Sequence, residues 1–122
     1  MKQVQKAEEI SNIAFGFMAS KALFVALHCN LFSLLSKKTL SSIELAKLVQ
    51  VPENRISTIC TALTSIGLLI RENGMYKNSI GADKYLVKGA KYDFGDYLRL
   101  RIDRQMYGFM QQLEGVVTNN MN

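Results

Sequence analysis

The N-terminal third of the chain carries apolar residues at helical spacing. Residues 8 to about 18 predict a first helix and residues 20–29 a second, whose apolar positions continue into the next turn as Leu23, Phe24, Leu27 and Leu31. Between Glu9 and Lys37 the only formally charged side chain is Lys21. Helices that are apolar on every face are usually covered by other elements or other subunits, so the pattern predicts a buried or interface position.

The middle third has the pattern of two helices joined by a short turn. Ser41 and Glu44 have the spacing of a capping box, which predicts the start of the first of these helices. Pro52, the only proline, suits the first turn of the second, where its missing N–H breaks no hydrogen bond. Apolar residues then recur at three- and four-residue intervals up to Gly67, a residue type that commonly follows a helix end.

A β-hairpin is predicted directly after this helix pair. Residues 68–71 and 75–78 read as two strands, and the Asn73-Gly74 pair between them is a strong signal for a two-residue turn. The order helix, turn, helix, hairpin is that of a winged helix. Winged helices commonly bind DNA, so this order raises the question of whether the chain is a DNA-binding protein.

The complete pattern predicts a mainly α fold in a single domain over residues 1–122. Residues 1–38 hold the N-terminal helices, and residues 39–80 hold the helix-turn-helix with its small β-hairpin wing. Residues 81–122 hold one short helical turn, a long closing helix from residue 92 to about 116, and the start of a linker. A chain of 122 residues is ordinary in length for one domain with one core.

The distribution of charge argues against DNA binding. The net charge is +5, but residues 39–80 hold only four basic and three acidic side chains. The solvent face of the second helix of the pair would present a single cation, Arg55, to DNA. Phosphate contacts dominate the affinity of DNA-binding proteins, so this is a weak electrostatic footprint. A winged-helix transcriptional regulator remains the alternative interpretation.

Other functional classes find little support in the residues. Ser20, Lys21, His28 and Asn30 interrupt the apolar N-terminal segment, so no membrane span is expected. Cys29 and Cys60 are expected to be reduced thiols of a cytoplasmic protein without metal. His28 is expected to be a core or interface histidine rather than a catalytic base. No two glycines are closer than six residues, so no glycine-rich loop can hold a nucleotide-like cofactor.

Three segments together resemble a known family. They are "FMASKALFVALHCNLFSLLSK", "TLSSIELAKLVQVPENRISTICTALTSIGLLIRENGMYKNS" and "YLRLRIDRQMYGFMQQLEGVV". Their combination and order resemble the N-terminal dimerisation domain of S-adenosylmethionine-dependent O-methyltransferases, the small-molecule enzymes related to caffeate and hydroxyindole O-methyltransferases and to bacterial polyketide-tailoring homologues. The resemblance covers residues 13 to 117. It implies that the wing is a scaffold, that the N-terminal helices intertwine with a second subunit, and that the closing helix roofs the substrate pocket.

The resemblance also implies which residues serve each role. The dimer interface would be formed by Phe15, Met18, Leu23, Phe24, Leu27 and Leu31. The pocket for the small-molecule acceptor would be lined from the closing helix by Leu100, Arg101, Met106 and Met110, and from the first helix of the partner by Phe15, Phe17 and Met18. Catalytic, cofactor-binding and metal-ligating residues are not expected in the 122 residues, because a separate Rossmann-like domain would bind S-adenosylmethionine and supply the catalytic base.

The resemblance leads to one further interpretation. The Rossmann-like domain is absent from the 122 residues, which suggests an excised domain, a proteolytic remnant or a truncated product. The chain could then also be an inactive partner that dimerises with a full-length methyltransferase. On any of these readings the domain is non-catalytic by itself.

Overall fold

The computed structural model describes residues 2–118, apart from the side chains of Met106, Tyr107 and Phe109. Two consecutive helices open the chain, α1 (Ala7–Ala14) and α2 (Gly16–His28). The predicted boundary near residue 19 was wrong, because the break falls at Phe15, where the helical φ/ψ geometry is lost just before a glycine. A short helix α3 (Leu31–Leu34) follows Asn30, whose left-handed backbone (φ 57°) confirms the predicted break there.

The helix pair forms as the sequence predicts. Helix α4 (Ser42–Val49) begins with a complete capping box: the Glu44 amide donates to Ser41 Oγ at 3.1 Å, and the Ser41 amide donates to Glu44 Oε1 at 3.0 Å. Helix α5 (Glu53–Ser65) starts directly after Pro52, which lies one residue before the helix rather than inside its first turn. The two helices pack against each other.

The hairpin is antiparallel, with strands β1 (Leu69–Glu72) and β2 (Met75–Asn78). Asn73 and Gly74 both have positive φ, 52° and 76°, as a tight hairpin turn requires, which confirms the predicted turn. Leu40 also pairs with β2. Its N–H donates to the Tyr76 carbonyl at 3.0 Å, and its carbonyl accepts from the Tyr76 N–H at 2.8 Å. The residues that lead into α4 therefore also pair with the outer edge of β2.

The C-terminal third departs most from the expectation of one long helix. After α6 (Ile80–Tyr85), the closing helix begins at Gly95, three residues later than predicted. A side chain at Gly95 would meet Leu27 of α2 at 3.1 Å, so the close approach of the two helices there favours glycine, and the Gly95 amide donates to Asp93 Oδ1 at 2.8 Å. The segment comprises α7 (Gly95–Tyr97), a π-helical stretch (Leu98–Tyr107), α8 (Gly108–Met110) and, after a turn, α9 (Leu113–Val117).

Helices α2, α3, α4, α5 and α6 and the hairpin share one hydrophobic core. Its largest fully buried side chains come from α3, α4, α5 and β1 and their flanks: Phe32, Leu31, Leu35, Leu45, Leu63, Leu69 and Cys60. Asn78 is the buried polar residue of the described chain, and its Nδ2 donates to the Phe32 carbonyl and to Asp83 Oδ1, both at 2.8 Å. This amide ties the end of the hairpin to α3 and α6.

Candidate dimerisation surface

An open apolar groove runs between α2 and α5. It consists of two adjoining cavities of about 410 and 530 Å³, which share Val25, Thr58 and Ile59. We call it the α2–α5 groove. Its walls are mainly aliphatic, since Ala22 and Val25 of α2 face Ile59 and Ala62 of α5. A surface of this kind is suited to receive another apolar helix.

At one end of the groove lies a segment whose apolar side chains are largely in solvent. We call residues 7–18, from the start of α1 to the first turn of α2, the N-terminal arm. None of the α1 residues is buried, and Phe15 and Met18 are 62% and 58% exposed. The arm exposes Ile10, Ile13, Phe15, Phe17 and Met18. Leaving so many large apolar side chains in water is unfavourable by about 25 cal/mol per Å², so coverage by another surface stabilises them.

The predicted interface residues divide into two groups. Phe15 and Met18 lie in the arm, and Leu23 is partly buried against the core. Phe24, Leu27 and Leu31 are only 3%, 8% and 1% exposed within the single chain. The single chain therefore already covers these three side chains, and Leu31 also borders the α2–α5 groove, so their assignment to a dimer interface stays a prediction.

The helix that would read DNA turns its outer face toward the groove. Asn54, Arg55 and Thr58 of α5 border the same cavity as Val25, and the Thr58 hydroxyl donates to the Asn54 carbonyl at 2.9 Å. The hairpin offers little more, since Lys77 pairs with Glu72 at 3.0 Å and Arg71 lies over the Tyr76 ring at 5.8 Å. A face that is half aliphatic with one cation is a poor match for base edges and phosphates.

A carboxylate that is largely shielded from solvent attaches the closing helix to α2. Asp103 Oδ2 lies 2.8 Å from His28 Nε2, and its Oδ1 lies 3.5 Å from Lys21 Nζ, while its side chain is 9% exposed. Burial acts to raise the pKa of Asp103, but the His28 hydrogen bond and the Lys21 charge outweigh it and hold the pKa below its usual value. His28 therefore makes a hydrogen bond to the closing helix within the chain, which the sequence did not indicate.

The residues expected to line a substrate pocket do not meet within one chain. Phe15, Phe17 and Met18 border the larger cavity of the α2–α5 groove, in which the described residues of the closing helix take no part. Leu100 and Met110 are exposed on that helix, and Arg101 is exposed beside them. The Met106 side chain lies outside the described residues. Contact between the two groups would need a second chain, so their shared role remains a prediction.

The two thiols have no reactive character. Cys60 is fully buried in the core, and burial raises its pKa to about 11. Cys29 borders the groove, and partial burial raises its pKa as well. Both sulfurs are thus protonated at neutral pH. Among the described residues no group of three histidine, cysteine or acidic side chains could hold a metal ion.

One stretch of the described chain passes a test for membrane-spanning helices. Residues Ala7–His28 are long and apolar enough to cross a membrane by length and composition, with a mean hydropathy of 1.6 over the best window. Such a result is weak evidence when it rests on one helix, because core helices of soluble proteins pass the same test. Here the stretch also contains the break at Phe15, and its C-terminal half packs in the core.

Comparison with known proteins links this geometry to enzymes. The chain is 27% identical over 110 residues to 3-hydroxy-5-methyl-1-naphthoate 3-O-methyltransferase of Streptomyces sahachiroi, covering 90% of this chain and 32% of that protein. It is 33% identical over 93 residues to the tetracenomycin polyketide synthesis 8-O-methyl transferase TcmO of Streptomyces glaucescens, covering 75% of this chain and 27% of that protein. The chain thus spans about a third of the length of these relatives.

Solved structures share the fold. PigF with SAH superposes with a TM-score of 0.86 at 24% identity, over 97% of this chain and 35% of that one. Human N-acetylserotonin methyltransferase in complex with SAM gives a TM-score of 0.84 at 22% identity, over all of this chain and 37% of that one. These matches confirm the mainly α, winged-helix-like fold with its two-stranded hairpin, and they lend no support to the DNA-binding alternative.

The family assignment rests on a match over most of the chain. The sequence profile described as the O-methyltransferase dimerisation domain matches residues 11–88, from the N-terminal arm through the hairpin to the end of α6 and the residues just beyond it. The name of this domain implies that two copies associate, and the exposed arm beside the groove agrees with that. The chain therefore belongs to the O-methyltransferase dimerisation domain family.

Proposed function

We propose that this chain is the homodimerisation and substrate-lid domain of an S-adenosylmethionine-dependent O-methyltransferase that acts on a small molecule. The observation that carries the proposal is the apolar N-terminal arm, exposed beside an apolar groove, within a match to the dimerisation domain family. The curated relatives are named for methylation of a naphthoate and for polyketide synthesis. Their names support a small aromatic acceptor and a cytoplasmic enzyme of secondary metabolism.

The proposed dimer exchanges arms. The arm of each copy lies in the α2–α5 groove of the other, so that Phe15 and Met18 contact Val25 and Ile59 of the partner surface. Both surfaces are apolar, they lie next to each other in one chain, and a two-fold axis would bury both at once. The arrangement removes the exposed side chains from water without requiring any basic face.

The lid role belongs to the closing helix. Leu98 and Ile102 attach one side of this helix to the core, while Leu100 and Met110 are exposed on it. The exposed side is therefore available to contact an acceptor. We assign Leu100, Arg101 and Met110, together with Met106, to contact with the acceptor. The opposite wall of the acceptor pocket is assigned to Phe15, Phe17 and Met18. S-adenosylmethionine would bind in the catalytic domain of the parent enzyme, and this domain by itself would have no methyltransferase activity.

The oligomeric state tests the proposal directly. Light scattering across a concentration series should give the mass of two chains. Met18→Asp should weaken association at least tenfold, because it places a charge in the proposed dimer interface. Ile43→Asp is the matched control, since Ile43 is 57% exposed on α4, away from both the arm and the groove. It should leave association unchanged.

Two results would overturn the proposal. One is a chain that stays monomeric at high concentration. The other is equal association by the Met18→Asp and Ile43→Asp variants, which would place the interface elsewhere. Calorimetry with S-adenosylmethionine provides an independent check, because tight binding to the 122-residue chain would contradict a domain that carries no cofactor site.

A further inference from the structure

The closing helix contains an unusual winding that the dimerisation role does not explain. Residues Leu98–Tyr107 form a π-helix of ten residues, whereas α-helical turns precede and follow it. π-helical winding is rare and mostly limited to single-turn bulges, frequently at functional sites. A stretch of this length needs an external contact that favours it over the ordinary α-helix.

Asp103 makes that contact. It lies within the π-helical stretch, with its carboxylate 9% exposed and paired with His28 and Lys21 on α2. Leu98 and Ile102 of the same stretch pack against the core. The three side chains must therefore point toward the same side of the helix, the side that faces the rest of the chain.

The wider winding favours this arrangement. Five residues of an α-helix, at 3.6 residues per turn, would turn Asp103 roughly 140° away from Leu98. With the i→i+5 hydrogen bonds of a π-helix, and about 4.4 residues per turn, the angle falls to roughly 50°. In an α-helix with Leu98 and Ile102 still on the core, Asp103 would leave α2 and lose both of its partners.

We infer that Asp103 is a positioning residue, whose hydrogen bond with His28 and ion pair with Lys21 hold the closing helix in its π-helical winding. The winding in turn sets the direction of the side chains that follow. Reversion to α-helix would add roughly 18° per residue and turn Met110 by roughly 160° relative to Leu98. Asp103 thereby decides which side chains the closing helix presents to the acceptor. This last consequence rests on the proposed lid role, whereas the control of winding does not.

Backbone hydrogen bonds can be read directly in solution. In the isotope-labelled 122-residue chain, NMR couplings across N–H···O=C bonds should connect amides 103–107 with the carbonyls five residues earlier. In Asp103→Asn, which keeps the shape and removes the charge, these couplings should move to the carbonyls four residues earlier. Asp96→Asn is the matched control, because Asp96 pairs with Arg99 at 3.2 Å on the exposed side of the same helix. It should keep the five-residue pattern.

A second variant tests the same pairs from α2. Lys21→Met combined with His28→Gln leaves Asp103 in place without the Lys21 charge and the His28 imidazole, and the same move to four-residue couplings is expected. The inference is overturned if the five-residue pattern persists in both variants. It is also overturned if the couplings vanish over 98–107 while the core stays folded, because Asp103 would then hold the helix without choosing its winding. Light scattering on the same samples reports the proposed dimer separately.

Discussion

Two neighbouring parts of the N-terminal third have similar apolar composition and opposite environments. The N-terminal arm, residues 7–18, has large apolar side chains in solvent, while the inner part of α2 together with α3, residues 22–35, supplies Phe24, Leu31 and Phe32 to the core. The difference is in their neighbours, since the inner part packs against α5 and the closing helix but α1 contacts mainly α2. Apolar composition shows that a segment must be covered, but it does not show whether its own chain or another one covers it.

The largest expected effect comes from a charge in the inner part. Phe24→Asp should unfold the chain, because an unpaired carboxylate in the core costs about 3–5 kcal/mol or more, a large share of a typical domain's stability. Phe15→Asp, at the exposed position in the arm, should keep the native circular dichroism spectrum and weaken only association. If Phe24→Asp melts cooperatively near the wild-type temperature, the division between the two parts is wrong.

Removing α1, the first part of the arm, should have a smaller and different effect. Deletion of residues 2–14 takes away α1, none of which is buried, so helicity per residue and cooperative melting should persist. Dimerisation should weaken at least tenfold, or about 1.4 kcal/mol, as measured by analytical ultracentrifugation. A chain without α1 that dimerises as tightly as the full chain would show that α1 is not part of the interface.

The smallest effect concerns the attachment of the inner part to the closing helix at acidic pH. The pKa of Asp103 is lowered in the folded chain, so its stabilisation is complete above the ordinary aspartate pKa of about 4 and is lost as pH falls through the lower folded value. Urea unfolding between pH 6 and 2 should show this loss in the wild type and less of it in Asp103→Asn. Glu44 also has a lowered pKa, through its hydrogen bonds with Ser41, and its loss of stabilisation at acidic pH should be the same in the wild type and in Asp103→Asn. Identical pH profiles would exclude a stabilising Asp103.

Local signals in the sequence were enough for much of the fold. The capping box at Ser41, the break at Asn30 and the Asn73-Gly74 turn each depend on side chains or φ values within a few residues, and all three form as predicted. The break at Phe15 has no comparable signal, because the apolar pattern continues across it. The start at Gly95 lies where the backbone comes close to Leu27, a neighbour that is distant in the sequence and that no local pattern indicates.

The candidate site was harder to predict, since it depends on tertiary contacts. Phe24, Leu27 and Leu31 share the helical spacing of an interface stripe, yet that spacing cannot distinguish the packing of a chain on itself from packing on a twin. Asp103 lies 75 residues from His28 and 82 from Lys21, and no local pattern relates them. The π-helical winding follows from that distant ion pair, so a helical period calculated from the sequence would not show it.

The pairing of Leu40 with Tyr76 has a consequence for assembly. Exposed strand edges invite further strands from other molecules, and a two-stranded hairpin offers two of them. Here Leu40, just before α4, occupies part of the outer edge of β2, so the outer edge of β1 is the more open one. Growth of the hairpin into a sheet shared between molecules is therefore hindered on the β2 side.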